Sequence, residues 1–343
     1  MTGKLPNSTV NSIPTKLVDR RQWAWWRRLL ATPPSEIKAA VENWRSLQRA
    51  LAQEHRISEQ WPSARAPGIF GNSIVHAEQL GNFRTDEPLR LRHRASPYRA
   101  TVNDQVQCPA GSLWKEVTFR AFRFDASEIE GIAASKSSDL HFDSVDEFGK
   151  SFALGTKTSL DAFGLKKMLA HGEIRVRADG TGSDRVSIRL WDGRLFLINS
   201  GGSHHLAGAA HIARVVGAAI PLSADLTVTA IRPKAVAWLT TNHHVLALGR
   251  QTHVQASVSK LAGRCYELSV PDHLAEASKV LMIPRDAALA DDVAQLLVEA
   301  GATDLAPWFQ HLLVEQNLHL QRWLRRLDGT RWSLGELHEL LGT

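Results

Sequence analysis

The segment 195–217 constrains the fold more than any other part of the 343-residue chain. It begins with a nearly continuous apolar run, passes through a polar turn with two adjacent glycines, and continues into small residues with helical character. Asp192-Gly193, just before the apolar run, is typical of a hairpin turn. A strand that leads directly into a helix belongs to folds that combine both elements in one domain. We therefore predict an α/β or α+β fold with helices packed on a mixed sheet.

Neighbouring segments predict further elements around this unit. Ser159 is a suitable N-cap for a helix that ends near His171 and Gly172. The alternation of apolar residues changes phase within 117–124, which predicts a strand with a bulge. The acidic stretch 139–150 is expected to be a loop. The other predicted elements are strands at 174–176, 186–190, 226–231, 245–248, 265–270 and 280–283, and helices at 204–216, at 235–239 and after 291.

These patterns divide the chain into four predicted regions. Residues 1–60 form a helical region rich in tryptophan and arginine, and residues 61–150 form a loop-rich segment with one strand. Residues 151–285 form the α/β domain, and residues 286–343 form a second helical region. The two helical regions are expected to pack on the α/β domain.

Composition narrows the class of protein. Hydrophobic residues make up 43% of the chain and charged residues 22%, which is typical of a folded domain in water. No apolar run has the length of a membrane span, so we predict a cytoplasmic protein without a membrane partner. The two cysteines are too few for a disulfide framework. A net charge of +6 favours phosphate-bearing or nucleic-acid ligands.

The glycine turn predicts an anion site. Gly201 and Gly202 allow backbone conformations closed to other residues, so that the chain can approach a ligand closely. Ser203 can cap the helix or contact the ligand, and His204 and His205 can donate hydrogen bonds. The first N–H groups of a helix lack partners within the helix and bind anions such as phosphate. These five residues are the predicted phosphate site, and no metal ligand is assigned among them.

The same residues carry a resemblance to a known family. The string Gly-Gly-Ser-His-His-Leu-Ala at 201–207 resembles the phosphate-binding turn of the ParB/sulfiredoxin superfamily, and the elements from Ser159 to Ile231 are similar to its layout. In sulfiredoxins the turn reads Gly-Gly-Cys-His-Arg, so Ser203 stands where those enzymes have the attacking cysteine. His205 stands where superfamily members have an arginine. Reduction of sulfinic acids is therefore not expected.

The resemblance implies nucleotide or phosphate handling. Superfamily members include CTP-binding partition proteins, nucleases, an ATP-using sulfiredoxin and free-serine kinases. The implied ligands are ATP or CTP with Mg²⁺, and the implied reactions are phosphotransfer or phosphodiester hydrolysis. No nucleophile or general base can be identified from the sequence. Whether the protein is an enzyme is left open by the sequence.

Two other functions compete with this interpretation. The arginine clusters at 20–28, at 84–99 and at Arg322, Arg325 and Arg326 suit DNA, RNA or a protein partner without catalysis. Imidazoles could instead hold the metal of a hydrolase. The candidate ligands are His204, His205, His211, His243 and His244, together with Asn242. A serine hydrolase elbow is not expected, because its pattern requires glycine at the position of His205.

Overall fold

A computed structural model describes residues 42–43, 45–47, 49, 68–71, 89–93, 102–106, 113–248, 258, 261, 265–269, 279–287 and 289–327. The first arginine cluster, at 20–28, lies outside these residues. Of the second cluster, only the strand backbone at 89–93 lies within them. The predicted regions 1–60 and 61–150 are therefore described only in part.

The central sheet has five strands and is mixed. Its strands are β3 (Trp114–Asp125), β4 (Gly131–Ile132), β5 (Arg185–Arg189), β6 (Leu195–Ile198) and β7 (Pro221–Ile231). They lie in the order β3-β7-β5-β6-β4. β5 and β6 form the predicted hairpin, whose turn has Gly193 at φ 77°. β5 runs parallel to β7, and β4 runs parallel to β6.

A second sheet is antiparallel throughout. Its strands are β8 (His243–Leu248), β9 (Tyr266–Ser269), β10 (Lys279–Pro284) and β11 (Thr303–Asp304), in the order β11-β8-β10-β9. The strands β1 (Leu89–His93) and β2 (Val102–Val106) pair antiparallel in a separate two-stranded sheet. The predicted α/β class with a mixed sheet is confirmed.

Six α-helices have both ends within the described residues, and a short 3-10 helix spans Ala126–Glu128. The six α-helices are α1 (Val145–Gly155), α2 (Ala162–Leu169), α3 (Ser203–Val216), α4 (Pro233–Asn242), α5 (Ala290–Glu299) and α6 (Ala306–Leu327). The prediction of a loop at 139–150 is wrong after Ser144, because the Ser144 side chain accepts a hydrogen bond from the Glu147 N–H and starts α1.

Two further local predictions need correction. Asp161, not Ser159, caps α2, since its carboxylate accepts the Gly164 N–H at 2.8 Å while the Ser159 hydroxyl donates to the same carboxylate. The segment 174–176 is not a strand. The next residue, Arg177, forms an isolated bridge with Ser223 of β7. The predicted bulge is present in β3, where the register shifts between Phe119 and Phe122 and Ala121 has φ 53°.

The helix that follows the glycine turn lies at the centre of the first core. α1 and α2 both pack on α3, and Ala207, Ala209 and Ile212 of α3 are buried. A Cβ at Gly149 of α1 would meet the Ala207 carbonyl, so glycine is what lets these two helices cross closely. This crossing brings aromatic side chains of α1 beside the start of α3.

Helix α6 is hydrogen-bonded to the central sheet at two places. Gln316 of α6 is fully buried, and its amide accepts from the Ile231 N–H and donates to the Ile231 carbonyl, both at 2.7 Å. The Trp323 indole donates to the Gly193 carbonyl in the β5–β6 turn. β3 and β4 precede residue 150 but belong to the central sheet, whose other strands follow it. β11 follows residue 285 but belongs to the second sheet, whose other strands precede it. The boundaries at 150 and 285 stay a prediction.

Candidate functional site

The glycine turn forms where β6 ends and α3 begins, as predicted. Gly202 is the N-cap residue and has the left-handed conformation, with φ 70°. A Cβ there would lie 2.6 Å from the Glu173 carbonyl oxygen, so Gly202 is required by backbone packing as well as by its φ. The expectation that Ser203 caps the helix is wrong, because Ser203 is the first residue of α3 and no side chain caps it.

A cleft of about 490 Å³ opens at this turn and contains all five predicted residues in its wall. The wall combines the segment after β4, the segment after α2, one ring of α1 and the start of α3. Its residues are Ala134, Ser135, Lys136, Phe152, His171, Glu173, Ser200, Gly201, Gly202, Ser203, His204 and His205.

Asn199 holds two of these segments together. Its side-chain amide donates to the carbonyls of Ala134 and Gly201, each at 3.0 Å, and its side-chain oxygen accepts the Ala134 N–H at 3.2 Å. Asn199 is buried, so these bonds are shielded from water. These hydrogen bonds of Asn199 therefore fix the glycine turn relative to the segment after β4.

His204 lies between aromatic rings and a serine. Its ring centroid is 4.9 Å from that of Phe148 and 5.1 Å from that of Phe152. Its Nε2 is 2.9 Å from the Ser137 hydroxyl oxygen. Burial, followed by the charge of Lys136, lowers the pKa of His204 below its ordinary value of 6.5, although Glu173 opposes the shift. The neutral form of the imidazole is therefore favoured.

His205 stacks on a second histidine. The rings of His205 and His171 are nearly parallel, at 10°, with centroids 3.5 Å apart, and Phe152 contacts His205 edge-on. Burial and then the neighbouring His171 lower the pKa of His205. A neutral imidazole still donates one hydrogen bond, but it brings no charge to a phosphate. His205 therefore contributes a hydrogen-bond donor, and no cation, to the wall of the cleft.

Glu173 is the residue that sequence reasoning missed most clearly. Its carboxylate lies 3.4 Å from the Gly202 N–H, at the end of the helix where an anion was predicted. The next three N–H groups, those of Ser203, His204 and His205, have no acceptor among the described residues. The cleft thus offers three donors beside one carboxylate, and Lys136 supplies a cation in its wall.

A polar group lies behind the turn. The Arg175 guanidinium donates to the Ser200 hydroxyl at 2.6 Å, and Ser200 in turn lies 3.4 Å from the Asp184 carboxylate. Asp184 is buried, which raises its pKa in spite of the hydrogen bonds from Ser200. Spacing in the sequence could not identify Arg175 or Asp184, because each reaches the turn from a different part of the chain.

The histidines of the metal interpretation lie in three separate places. His211 is buried in α3 and bonds Asp146 at 2.9 Å, and Asp146 also pairs with Arg214. His244 lies in the second sheet and bonds Asp291 at 2.9 Å. Within the described residues, no group of three or more histidine, cysteine or acidic side chains could hold a metal ion.

The described arginines of the third cluster are paired with acids. Arg322 contacts Glu130 at 3.3 Å, and Arg326 contacts Glu128 at 2.9 Å. The side chain of Arg325 lies outside the described residues. The contacts of Arg322 and Arg326 fix the end of α6 against the central sheet.

The comparisons place the chain in a family. The model of a family of unknown function, DUF6685, matches residues 119–322, which is more than half of the chain. The chain belongs to DUF6685. The match includes every residue in the wall of the cleft, so the cleft lies within the DUF6685 region.

Beyond DUF6685, the chain has no significant similarity to any curated protein or solved structure. In the part of the DUF6685 chain that the structure describes, no helix combines the length and the apolar character needed to cross a membrane.

Proposed function

We propose that this protein binds the phosphate groups of a nucleotide in the cleft at the start of α3. The observation that carries the proposal is a row of three backbone N–H groups in the cleft wall, at Ser203, His204 and His205, for which the described residues supply no acceptor. Such donors at a helix N-terminus favour phosphate oxygens. The resemblance of the turn to that of the ParB/sulfiredoxin superfamily supports the same ligand class.

The charges of the cleft favour a phosphate that brings a cation. Lys136 attracts an anion, whereas Glu173 repels it from the Gly202 end of the turn. Mg²⁺ is coordinated by carboxylate and phosphate oxygens together, so it would convert this repulsion into a bridge. We therefore propose ATP or CTP with Mg²⁺ as the ligand, and phosphotransfer or phosphodiester hydrolysis as the reaction class.

Calorimetric titration of ATP, CTP and inorganic phosphate, each with and without Mg²⁺, tests the proposal. We expect saturable binding of at least one nucleotide, tighter with Mg²⁺. His205→Glu should abolish the binding because it places a negative charge within the row of N–H donors. His311→Glu adds the same charge to an exposed residue of α6 and should leave the affinity unchanged. No heat with any nucleotide, or equal loss in both variants, would contradict the proposal.

A further inference from the structure

Ser137 and His204 form a hydroxyl–imidazole pair that the proposed phosphate site does not use. The Ser137 oxygen lies 2.9 Å from His204 Nε2, within the range of a strong hydrogen bond. Ser137 is half-buried, and its chain neighbours Ser135 and Lys136 line the cleft. The hydroxyl therefore lies beside the cleft wall, in contact with His204 of that wall.

Both ring nitrogens of His204 lie next to serine oxygens. The other ring nitrogen, Nδ1, lies 3.4 Å from the Ser203 oxygen, which is buried beneath the helix start. A proton on Nδ1 can be shared with that oxygen, and Nε2 is then left as an acceptor for the Ser137 hydroxyl. Contacts with Phe148 and Phe152 hold the ring in this orientation.

This arrangement meets the geometric requirement for an activated nucleophile. Serine is a weak nucleophile until an adjacent base within hydrogen-bond reach accepts its proton. The base must itself be unprotonated and held in position. Burial lowers the pKa of His204 and so favours the neutral ring, and the contacts with Phe148 and Phe152 hold that ring in place. The hydroxyl of Ser137 is hydrogen-bonded to the imidazole of His204. The neighbouring Ser138 donates its backbone N–H to the Ser135 carbonyl instead.

We propose that Ser137 is a nucleophile, with His204 as its general base, and that it accepts a phosphoryl group from the ligand of the cleft. The choice of a phosphoryl group rests on the proposed function. The Ser137 oxygen forms a bond to the terminal phosphorus, and the bond from that phosphorus to its bridging oxygen breaks. The electron pair leaves with the nucleoside diphosphate. The serine proton passes to His204 Nε2 and then to the leaving group or water.

A fluorophosphonate probe tests the nucleophile without any nucleotide. The serine oxygen would displace fluoride from phosphorus, and peptide mass spectrometry would locate the adduct. We expect the adduct on Ser137, complete loss in Ser137→Ala, and unchanged labelling in the matched variant Ser138→Ala. His204→Gln should slow labelling about 100-fold or more, which is the usual contribution of a general base.

The dependence of the labelling rate on pH provides a second measurement in the unmodified protein. The rate should follow deprotonation of one group with a pKa below 6.5, in the field of Lys136, Glu173 and His205. No adduct, an adduct on another residue, or a rate independent of His204 would overturn the proposal.

Nucleotides then separate this proposal from the proposed function. With ATP or CTP and Mg²⁺ we expect phosphoserine at Ser137 in the unmodified protein and not in Ser137→Ala. Nucleotide binding without phosphoserine, in either nucleotide, overturns the phosphoryl transfer and leaves the binding site standing. Probe labelling of Ser137 without any nucleotide binding contradicts the proposed ligand and supports the nucleophile.

Discussion

At the scale of single residues, Glu173 determines how strongly the start of α3 attracts an anion. Its carboxylate lies beside the Gly202 N–H, so removing its charge should strengthen binding of inorganic phosphate in the absence of Mg²⁺. Interactions between exposed charges are about 0.2–1 kcal/mol, which corresponds to roughly a 1.4-fold to fivefold gain in affinity for Glu173→Gln. Calorimetry measures this gain. Glu299→Gln, on α5, is the control, and an equal or weaker affinity in Glu173→Gln would contradict the prediction.

The two histidines of the turn predict how stability depends on pH. Burial lowers the pKa of both His204 and His205 in the folded chain. Below about pH 6.5 the unfolded chain therefore binds more protons than the folded chain, and the free energy of unfolding decreases as pH falls. Urea unfolding at pH 7.5 and 5.5 should show this decrease. His205→Gln should reduce the difference between the two pH values, and His311→Gln should not. If the free energy of unfolding changes equally between the two pH values in the unmodified protein and both variants, His205 does not contribute to the pH dependence.

At the scale of elements, the crossing of α1 and α3 depends on Gly149. A Cβ at this position meets the backbone carbonyl of Ala207, which cannot move away without shifting α3. We expect Gly149→Ala to destabilise the protein by about 1–3 kcal/mol, as overpacked core sites do. Gly155→Ala, in the last turn of the same helix, has open space around its Cβ and should be neutral or slightly stabilising. Denaturant unfolding of both variants tests this, and similar effects would contradict it.

The elements differ in how well local sequence specified them. Alternation and turn residues predicted β5, β6, β7 and α3, because the signals of each element lie within its own residues. Helix α1 was missed because acidic residues dominate its start, while its apolar residues Phe148 and Phe152 gain their meaning only against α3. Segment 174–176 has a strand-like alternation, but it joins no sheet, and the isolated bridge to β7 is made by the next residue, Arg177.

At the scale of the whole molecule, Gln316 links α6 to the end of the central sheet. It is fully buried and makes two hydrogen bonds to the backbone of Ile231. Gln316→Leu would leave both backbone groups without these partners, at a cost of about 1–3 kcal/mol for each unsatisfied group. We expect a lower denaturation midpoint by circular dichroism. Gln295→Leu, where the exposed side chain bonds only Glu299 in the same helix, should change the midpoint little. A midpoint that does not change in Gln316→Leu would refute this role.

The sequence by itself determined the fold class, the hairpin before the turn and the position of the glycine turn at the start of α3. It could do so because strands, turns and caps depend on neighbouring residues. Only the tertiary structure decided which side chains face Gly201, Gly202 and His204. Glu173, Phe152 and Ser137 come from segments distant in the chain, and burial changes the chemistry of the imidazoles they meet. Charge in the cleft is a property of this arrangement in space, so the predicted anion site proved to contain a carboxylate.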